Sequence, residues 1–201
     1  MKSIYTHPLA IFIVTVLSSV IVSAVITYTV NKADPSEIMN EQIAAYYAAS
    51  TATLVSPHSI REKMDRGYHD YIVVDTRAQE DYVKGHVSGA INIDSNLGAD
   101  EVVRLFTELG DSKPILIYCY SASCMNGRKV GNLLAQHGIF VHEMTVGYNE
   151  WEYSLNSWNY PDEWDSLDIE EYITRGEEPG APTVKLENLT EGCGITGELS
   201  C

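Results

Sequence analysis

The chain has 201 residues and a formal net charge of −15, with 28 acidic and 13 basic side chains. All of the acidic residues but only 12 of the basic ones follow residue 30, so this part has a net charge of −16. Binding to nucleic acid requires a basic patch that neutralises phosphates, and the composition therefore excludes nucleic acid as an expected partner.

The first element is an apolar segment without any charged side chain, Pro8–Val30. Its 23 residues would form a helix about 34 Å long, which exceeds the roughly 30 Å hydrocarbon core of a bilayer. A single transmembrane anchor is therefore predicted within residues 1–31. A cleaved signal peptide is the alternative, because Val22–Ala24 could form a cleavage site, although signal peptides usually have a shorter apolar run of ~7–15 residues.

The charges that flank this segment favour a cytoplasmic amino terminus only slightly, because Lys2 precedes the segment while Lys32 is soon followed by acidic residues. This orientation predicts that the soluble part lies outside the cytoplasm, in a periplasmic or extracellular position. Residues 32–52 are expected to form a stalk helix or linker. The segment SPHSIREKMDRG then predicts a short helix with Pro57 in its first turn and Gly67 beyond its end.

Strand and helix patterns alternate in the following part of the chain. The strand-like runs are YIVVD, AINI, KPILIY and IFVHEM, and the helix-like runs are RAQEDYVKG, ADEVVRLFTELG and NGRKVGNLLAQHG. Strands that alternate with helices imply a parallel sheet covered on both faces. The predicted fold class is therefore α/β, with a parallel sheet flanked by helices in one domain over residues 53–158.

Residues 159–201 are predicted to form an acidic extension rich in Trp and Tyr. The run SLDIEEYITRG is helix-like, and the three tryptophans, Trp151, Trp158 and Trp164, are expected to cover apolar surface of the domain. Cys193 and Cys201 enclose a short loop, and in an oxidising compartment they would form a disulfide worth about 2.6 kcal/mol by loop entropy.

The other two cysteines lie together in the stretch ILIYCYSASCMNGRKVG. Cys119 directly follows an apolar strand, and Cys124 comes five residues later, just before a helical pattern. Ligands of open α/β sheets bind at the carboxyl ends of the strands, where Cys119 is expected. Loop N–H groups and a helix amino terminus can lower the pKa of a thiol from about 8.5 to ~3.5–7.5. The alternative is an inert buried thiol at the end of a core strand.

The residues between the cysteines and the helix are candidates for substrate binding. Ser121, Ala122 and Ser123 are small enough to let the backbone curl around an anion, and Tyr120 and Arg128 flank them. No C-x-x-C motif is present, and the histidines do not stand at a zinc-ligand spacing from the cysteines. No metal or cofactor is therefore expected.

The segment YIVVDTRAQEDYVKGHVSGAINI resembles a segment of rhodanese-like domains. In that family a strand ends in Asp-x-Arg, a short acidic helix follows, and Gly-His-x-x-Gly-Ala-x-Asn-Ile leads to the next strand. The matching residues are Asp75, Arg77, Gly85, His86, Gly89, Ala90, Asn92 and Ile93. The later GYNEW is similar to the family's Gly-Gly-x-x-x-Trp, so the resemblance extends over the whole predicted domain.

The resemblance implies a sulfurtransferase whose loop cysteine accepts a sulfane sulfur from thiosulfate, a persulfide or a polysulfide, and passes it to a nucleophilic acceptor. Cys119 matches the nucleophile. Asp75, Arg77 and His86 match positions that mainly hold the scaffold together, and a structural role is expected for them. The loop departs from the family pattern because it is about two residues longer and has Tyr120 in place of a basic residue after the cysteine. Phosphatase or arsenate-reductase relatives would need an arginine six positions after the cysteine, where this chain has Met125.

Cys124 allows three interpretations: a resolving thiol that releases the sulfur of a Cys119 persulfide as hydrosulfide, a second sulfur carrier, or a small side chain packed under the loop. Three functional hypotheses follow. The first is a membrane-tethered sulfurtransferase that uses Cys119 with a small sulfur donor and a thiol acceptor. The second is a thiol–disulfide or persulfide-reducing enzyme that uses Cys119 with Cys124 and a redox partner protein. The third is a non-catalytic rhodanese-fold module that binds a partner through its acidic extension.

Overall fold

The structure is a computed structural model that describes residues 8–32, 35–163, 165–182 and 184–185. The chain divides into two compact units, Met1–Ser50 and Thr51–Cys201. The predicted disulfide partners Cys193 and Cys201, and also Trp164, lie outside the described residues, so the predictions on them stay predictions.

The amino-terminal unit is helical. Helix α1 covers Pro8–Lys32, and helix α2 begins at Pro35 and ends at Thr53, just past the boundary of the unit. Within α1, the 18 residues Ile11–Tyr28 have a mean hydropathy of 2.3. Helix α1 is therefore long and apolar enough to cross a membrane, as the sequence predicts.

The second unit alternates strands and helices. Its strands are β1 (Leu54–Val55), β2 (Ile72–Asp75), β3 (His86–Val87), β4 (Ile91–Asn92), β5 (Ile115–Tyr118), β6 (Val141–Met144) and β7 (Ile173–Thr174). Its helices are α3 (Pro57–Asp65), α4 (Gln79–Lys84), α5 (Ala99–Glu108), α6 (Met125–Gln136) and α7 (Tyr148–Tyr153). Two-residue strands such as β1 and β3 were not predicted, because so short a run has no readable periodicity.

The main sheet has five parallel strands in the order β1-β6-β5-β2-β4. Strand β5 is central, and all four of its residues are buried. Side chains of a strand alternate between the two faces. Leu116 and Tyr118 therefore join one core with Trp151, while Ile115 and Ile117 join a second core with residues of α5 and α6. The predicted α/β fold with a parallel sheet flanked by helices is confirmed.

The residues of the acidic extension that the structure describes are part of the fold. Tyr172 is buried and donates a hydrogen bond to Asp65 of α3, and β7 pairs antiparallel with β3. The helix-like prediction for SLDIEEYITRG is wrong beyond its first turn, since Ile169–Tyr172 form a 3-10 helix and a strand follows. The physical reason is that pairing with β3 and burial of Tyr172 and Ile173 override a short local helical pattern.

The tryptophans that the structure describes cover apolar surface, as expected. Trp151 is fully buried and stacks on Trp158 with ring centroids 4.8 Å apart. The indole of Trp158 donates a hydrogen bond to the Glu150 carbonyl at 2.9 Å, which fixes the second ring over the first.

Candidate active site

Cys119 lies at the carboxyl end of the central strand β5 and is 4% exposed. Its carbonyl oxygen accepts a hydrogen bond of 2.9 Å from the Tyr148 N–H at the start of α7. A Cβ atom at Gly147 would lie 2.1 Å from the Ser121 nitrogen, so only glycine permits this approach of the backbone. The start of α7 therefore supports the cysteine loop from behind.

Cys119 and Cys124 are joined by a disulfide, with Cα atoms 6.2 Å apart. Cys124 is the residue before the first turn of α6, and its N–H donates to the Ser121 carbonyl at 2.9 Å. The loop therefore curls so that the two cysteines meet at the amino terminus of a 12-residue helix. Once the disulfide is reduced, the partial positive charge of that helix end favours a thiolate at this position.

Tyr120 points away from the curled loop toward α4. Its hydroxyl donates to Asp81 Oδ2 at 2.7 Å and accepts from the Ala78 N–H at 3.3 Å. Burial and the bond to Asp81 raise the pKa of Tyr120, so the phenol stays protonated and keeps donating at neutral pH. The contacts of Tyr120 fasten the loop to α4, and its predicted contact with substrate stays a prediction.

The small loop residues contact a carboxylate as well as each other. The Ala122 N–H donates to Glu150 Oε2 at 3.1 Å, and the same oxygen accepts from the Gly147 N–H at 3.0 Å. The hydroxyls of Ser121 and Ser123 are hydrogen-bonded at 3.1 Å. Glu150 therefore accepts a hydrogen bond from one of the loop N–H groups that were expected to bind an anionic substrate.

Arg128 is exposed in the first turn of α6, with its Nε 3.7 Å from Glu143 Oε2. Burial raises the pKa of Glu143, and Arg128 opposes only part of this effect. The sequence prediction did not include Glu143 among the site residues. The signal that could have identified it is an acidic residue inside the predicted strand IFVHEM.

Asp75 and Arg77 form a buried ion pair below the loop. Arg77 donates to both carboxylate oxygens of Asp75 and to the Gly85 carbonyl, and its guanidinium lies 3.9 Å from the ring centroid of Tyr148. The hydroxyl of Tyr118 donates to Asp75 at 2.7 Å. These bonds connect β2, β5, α4 and α7, which supports the predicted structural role.

His86 is fully buried in β3 and stacks on the ring of Tyr82 with centroids 3.8 Å apart. Its Nδ1 lies 3.0 Å from the Tyr82 carbonyl oxygen, and its Nε2 lies 3.3 Å from the Pro179 carbonyl oxygen. His86 therefore links α4 to the carboxy-terminal extension, and these contacts favour the structural role expected for it.

A cleft of about 220 Å³ opens beside Tyr120, and Arg77, Lys84, Tyr148 and Tyr153 also line it. Tyr118 and Tyr120 project to this side of the sheet, while the Cys119 side chain projects to the side of α6.

Among the residues that the structure describes, no group of three or more His, Cys, Asp or Glu side chains is arranged to hold a metal ion.

Comparisons with known proteins found one family model and several relatives. Residues 56–154 match the family model described as "Rhodanese-like domain". A tRNA sulfurtransferase from Pyrobaculum aerophilum is 37% identical over 68 residues, which are 34% of this chain and 13% of that protein. The HTH-type transcriptional regulator Rv0324 from Mycobacterium tuberculosis is 28% identical over 118 residues, which are 57% of this chain and 50% of that protein.

The chain thus spans half or less of the length of these curated relatives. Among solved structures, the BH2092 protein from Bacillus halodurans is 26% identical and has a TM-score of 0.48. The match covers 57% of this chain and 82% of that one.

Proposed function

Because residues 56–154 form a rhodanese-like domain, we propose that the protein is a sulfurtransferase that carries sulfane sulfur as a persulfide on Cys119. The observation that carries the proposal is the position of this cysteine. It directly follows the central strand of a parallel sheet, and the loop after it leads to the amino terminus of α6. This is the edge at which open α/β sheets bind their ligands.

The proposed reaction has two steps. With thiosulfate as donor, the Cys119 thiolate attacks the outer sulfur, the S–S bond of thiosulfate breaks, and sulfite leaves with the electron pair. An acceptor thiolate then attacks the outer sulfur of the persulfide, and Cys119 leaves as a thiolate. A persulfide or polysulfide donor follows the same steps, with a thiolate or a shorter polysulfide as the leaving group.

A second function is favoured by the disulfide between Cys119 and Cys124. In this reaction the Cys124 thiolate attacks the Cys119 sulfur of the persulfide, hydrosulfide leaves, and the two cysteines become a disulfide. A dithiol redox partner must then reduce the disulfide before the next cycle. The contact between the two sulfurs supports a resolving role for Cys124 over simple packing beneath the loop.

The domain is proposed to be tethered to a membrane through α1, with the catalytic part on the extracytoplasmic side. The apolar helix supports the anchor, and the slight excess of positive charge before it supports the orientation. A small sulfur donor and a thiol acceptor or redox partner protein complete the proposed set of partners.

The test uses the full chain, purified in detergent and reduced. After incubation with thiosulfate, a polysulfide or a low-molecular-weight persulfide, the intact mass is expected to increase by one sulfur atom. Peptide mapping should locate the added sulfur on Cys119. The adduct should be absent in Cys119→Ser, and the absence of an adduct with every donor would instead favour a non-catalytic binding module.

Cys124→Ser separates the two candidate functions. If Cys124 resolves the persulfide, the variant should accumulate the adduct and release sulfide at least tenfold more slowly, since a thiol already in contact with Cys119 reacts much faster than one that must diffuse to it. If sulfide release and transfer to an added thiol are both unchanged, the two-cysteine reaction is wrong while the sulfurtransferase proposal stands.

A further inference from the structure

A carboxylate faces the cysteine pair from the neighbouring strand. Glu143 of β6 is the register partner of Ile117 in β5, so both side chains emerge on the same face of the sheet. Cys119 follows Ile117 by two residues, and alternate residues of an extended chain share a face. Glu143 therefore lies on the same side of the sheet as Cys119, at the level of Ile117, which is two residues before Cys119 along the strand direction.

The first turn of α6 provides independent evidence that Glu143 lies near Cys119. A Cβ atom placed on the buried Gly127 would lie 3.5 Å from Glu143 Oε1 and 3.9 Å from Cys119 Cβ. The carboxylate and the cysteine therefore border the same small space over this glycine. Any larger side chain at position 127 would enter that space.

The surroundings of this carboxylate are otherwise apolar. Val141 precedes it and Ile117 lies beside it on the same face, and both belong to one apolar cluster with Val130 and Leu134 of α6. The Glu143 side chain is 25% exposed, and its charged neighbour Arg128 lies at the solvent edge. Placing a carboxylate here costs stability, because burial penalises the charged form. The cost is understandable if the carboxyl group gains and loses a proton during the reaction.

We propose that Glu143 exchanges protons with the Cys119 and Cys124 pair, directly or through a water molecule. It accepts a thiol proton when a cysteine sulfur becomes a nucleophile and returns the proton to the sulfur that leaves. This inference deepens the proposed function and rests on it for the physiological reaction.

In the release step, the Cys124 thiol gives its proton to the Glu143 carboxylate, and its sulfur forms a bond with the Cys119 sulfur. The S–S bond of the persulfide breaks, and hydrosulfide leaves with the electron pair and takes the proton from Glu143 as hydrogen sulfide. The sulfane sulfur is reduced by two electrons, and the two cysteines are oxidised to the disulfide, which the dithiol partner reopens.

The test measures thiol reactivity, so it does not depend on sulfur transfer. The reduced full chain in detergent is alkylated with iodoacetamide from pH 4 to pH 10, and the rate at Cys119 is followed by peptide mass in a Cys124→Ser background. Because the Glu143 carboxyl and the Cys119 thiol interact, the alkylation rate plotted against pH should show two inflections, one for each proton lost. Glu143→Gln should leave one inflection and raise the rate at pH 7 several-fold, because no negative charge then opposes the thiolate.

In Glu143→Gln, the rate of sulfide release should fall, although the rate of alkylation rises. In the chain that retains both cysteines, Glu143→Gln should slow release at least about tenfold, since general acid–base catalysis typically contributes 10²–10⁴-fold. A merely structural role would not speed alkylation and slow release together. Glu108→Gln removes an exposed carboxylate from α5 and serves as the matched control, for which neither rate should change.

Arg128→Gln provides a second readout that does not require Glu143 to be replaced. Loss of the positive charge should raise the pKa of Glu143 further, so the lower inflection should move to higher pH. Superimposable alkylation profiles for the wild type, Arg128→Gln and Glu143→Gln would overturn the inference. If Glu143→Gln fails to fold, the position of the inflection in Arg128→Gln decides alone. If no donor forms a persulfide, the proposed function fails, while these profiles still decide whether Glu143 exchanges protons.

Discussion

At the scale of single residues, Glu150 changes the charge that a substrate meets at the loop. Its carboxylate binds the N–H groups of Ala122 and Gly147. Arg128, in the first turn of the helix that follows the loop, is exposed and lies beside Glu143. A loop whose Ala122 N–H already binds a carboxylate attracts an anionic donor less than a loop in which that N–H is free. The expected donors are therefore those with less negative charge than the thiosulfate dianion, such as a low-molecular-weight persulfide.

Glu150→Gln tests this expectation. The amide oxygen can keep both hydrogen bonds, but the negative charge is lost, so attack of Cys119 on the thiosulfate dianion should become several-fold faster relative to attack on a neutral disulfide. The measurement is the ratio of the two second-order rate constants in the reduced protein.

Glu152→Gln on the same helix is the control, because that side chain faces Arg175 and has no described contact with the loop. An unchanged or lower ratio in Glu150→Gln would contradict the electrostatic role of this residue. An equal rise for both donors would point to a change in loop structure.

At the scale of elements, the carboxy-terminal extension completes the domain. Strand β7 pairs with β3, the Gly89 N–H donates to the Pro179 carbonyl at 2.7 Å, and the Lys185 N–H donates to the Asp65 carbonyl at 2.7 Å. Asp65 is itself buried and paired with Arg61 at 3.1 Å. Removing the extension would therefore expose apolar core and leave a buried charge pair without the Tyr172 hydroxyl.

A chain that ends at Trp158 is expected to be markedly less stable than one that ends at Lys185. The loss of Tyr172 alone should cost about 3–5 kcal/mol, as removal of a buried aromatic side chain does. Urea unfolding of both chains in the same detergent, followed by tryptophan fluorescence, gives the comparison. Equal midpoints and equal slopes would show that the extension contributes nothing to the folded domain.

At the scale of the whole molecule, α1 favours a bilayer and the folded unit favours water. The 18-residue segment Ile11–Tyr28 is apolar on average and favours a bilayer, whereas the rest of the chain is strongly acidic and favours water. The proposed tether follows from this contrast between the two units.

Val20→Asp tests the tether, because an acidic residue near the centre of a membrane-spanning helix costs about 2.5–3.5 kcal/mol on insertion scales. The wild type and the control Val20→Leu should stay in the membrane pellet after carbonate washing, while a larger fraction of Val20→Asp should be released. Protease digestion of intact cells or spheroplasts then reports the side on which the folded unit lies. Complete release of the wild type by carbonate would contradict the membrane anchor.

Much of the fold could be predicted from the sequence, because its signals are local. The apolar run before Cys119, the alternation of strand and helix patterns and the apolar segment of α1 each depend on neighbouring residues only. For that reason the parallel α/β architecture and the position of Cys119 at a strand end were predictable. The pairing of β3 with β7 was not, since it joins residues far apart in the chain through strands of two residues.

By itself, the sequence determined that a cysteine follows a central strand, that a second cysteine shares its loop, and that an apolar helix precedes the domain. Only the tertiary structure decided what surrounds the cysteines. It turned Tyr120 toward Asp81, placed Glu150 on the loop N–H of Ala122 and brought Glu143 toward Cys119 across Gly127. The reason is that these contacts depend on strand register and helix packing, which are set by burial over the whole domain and leave no local pattern in the chain.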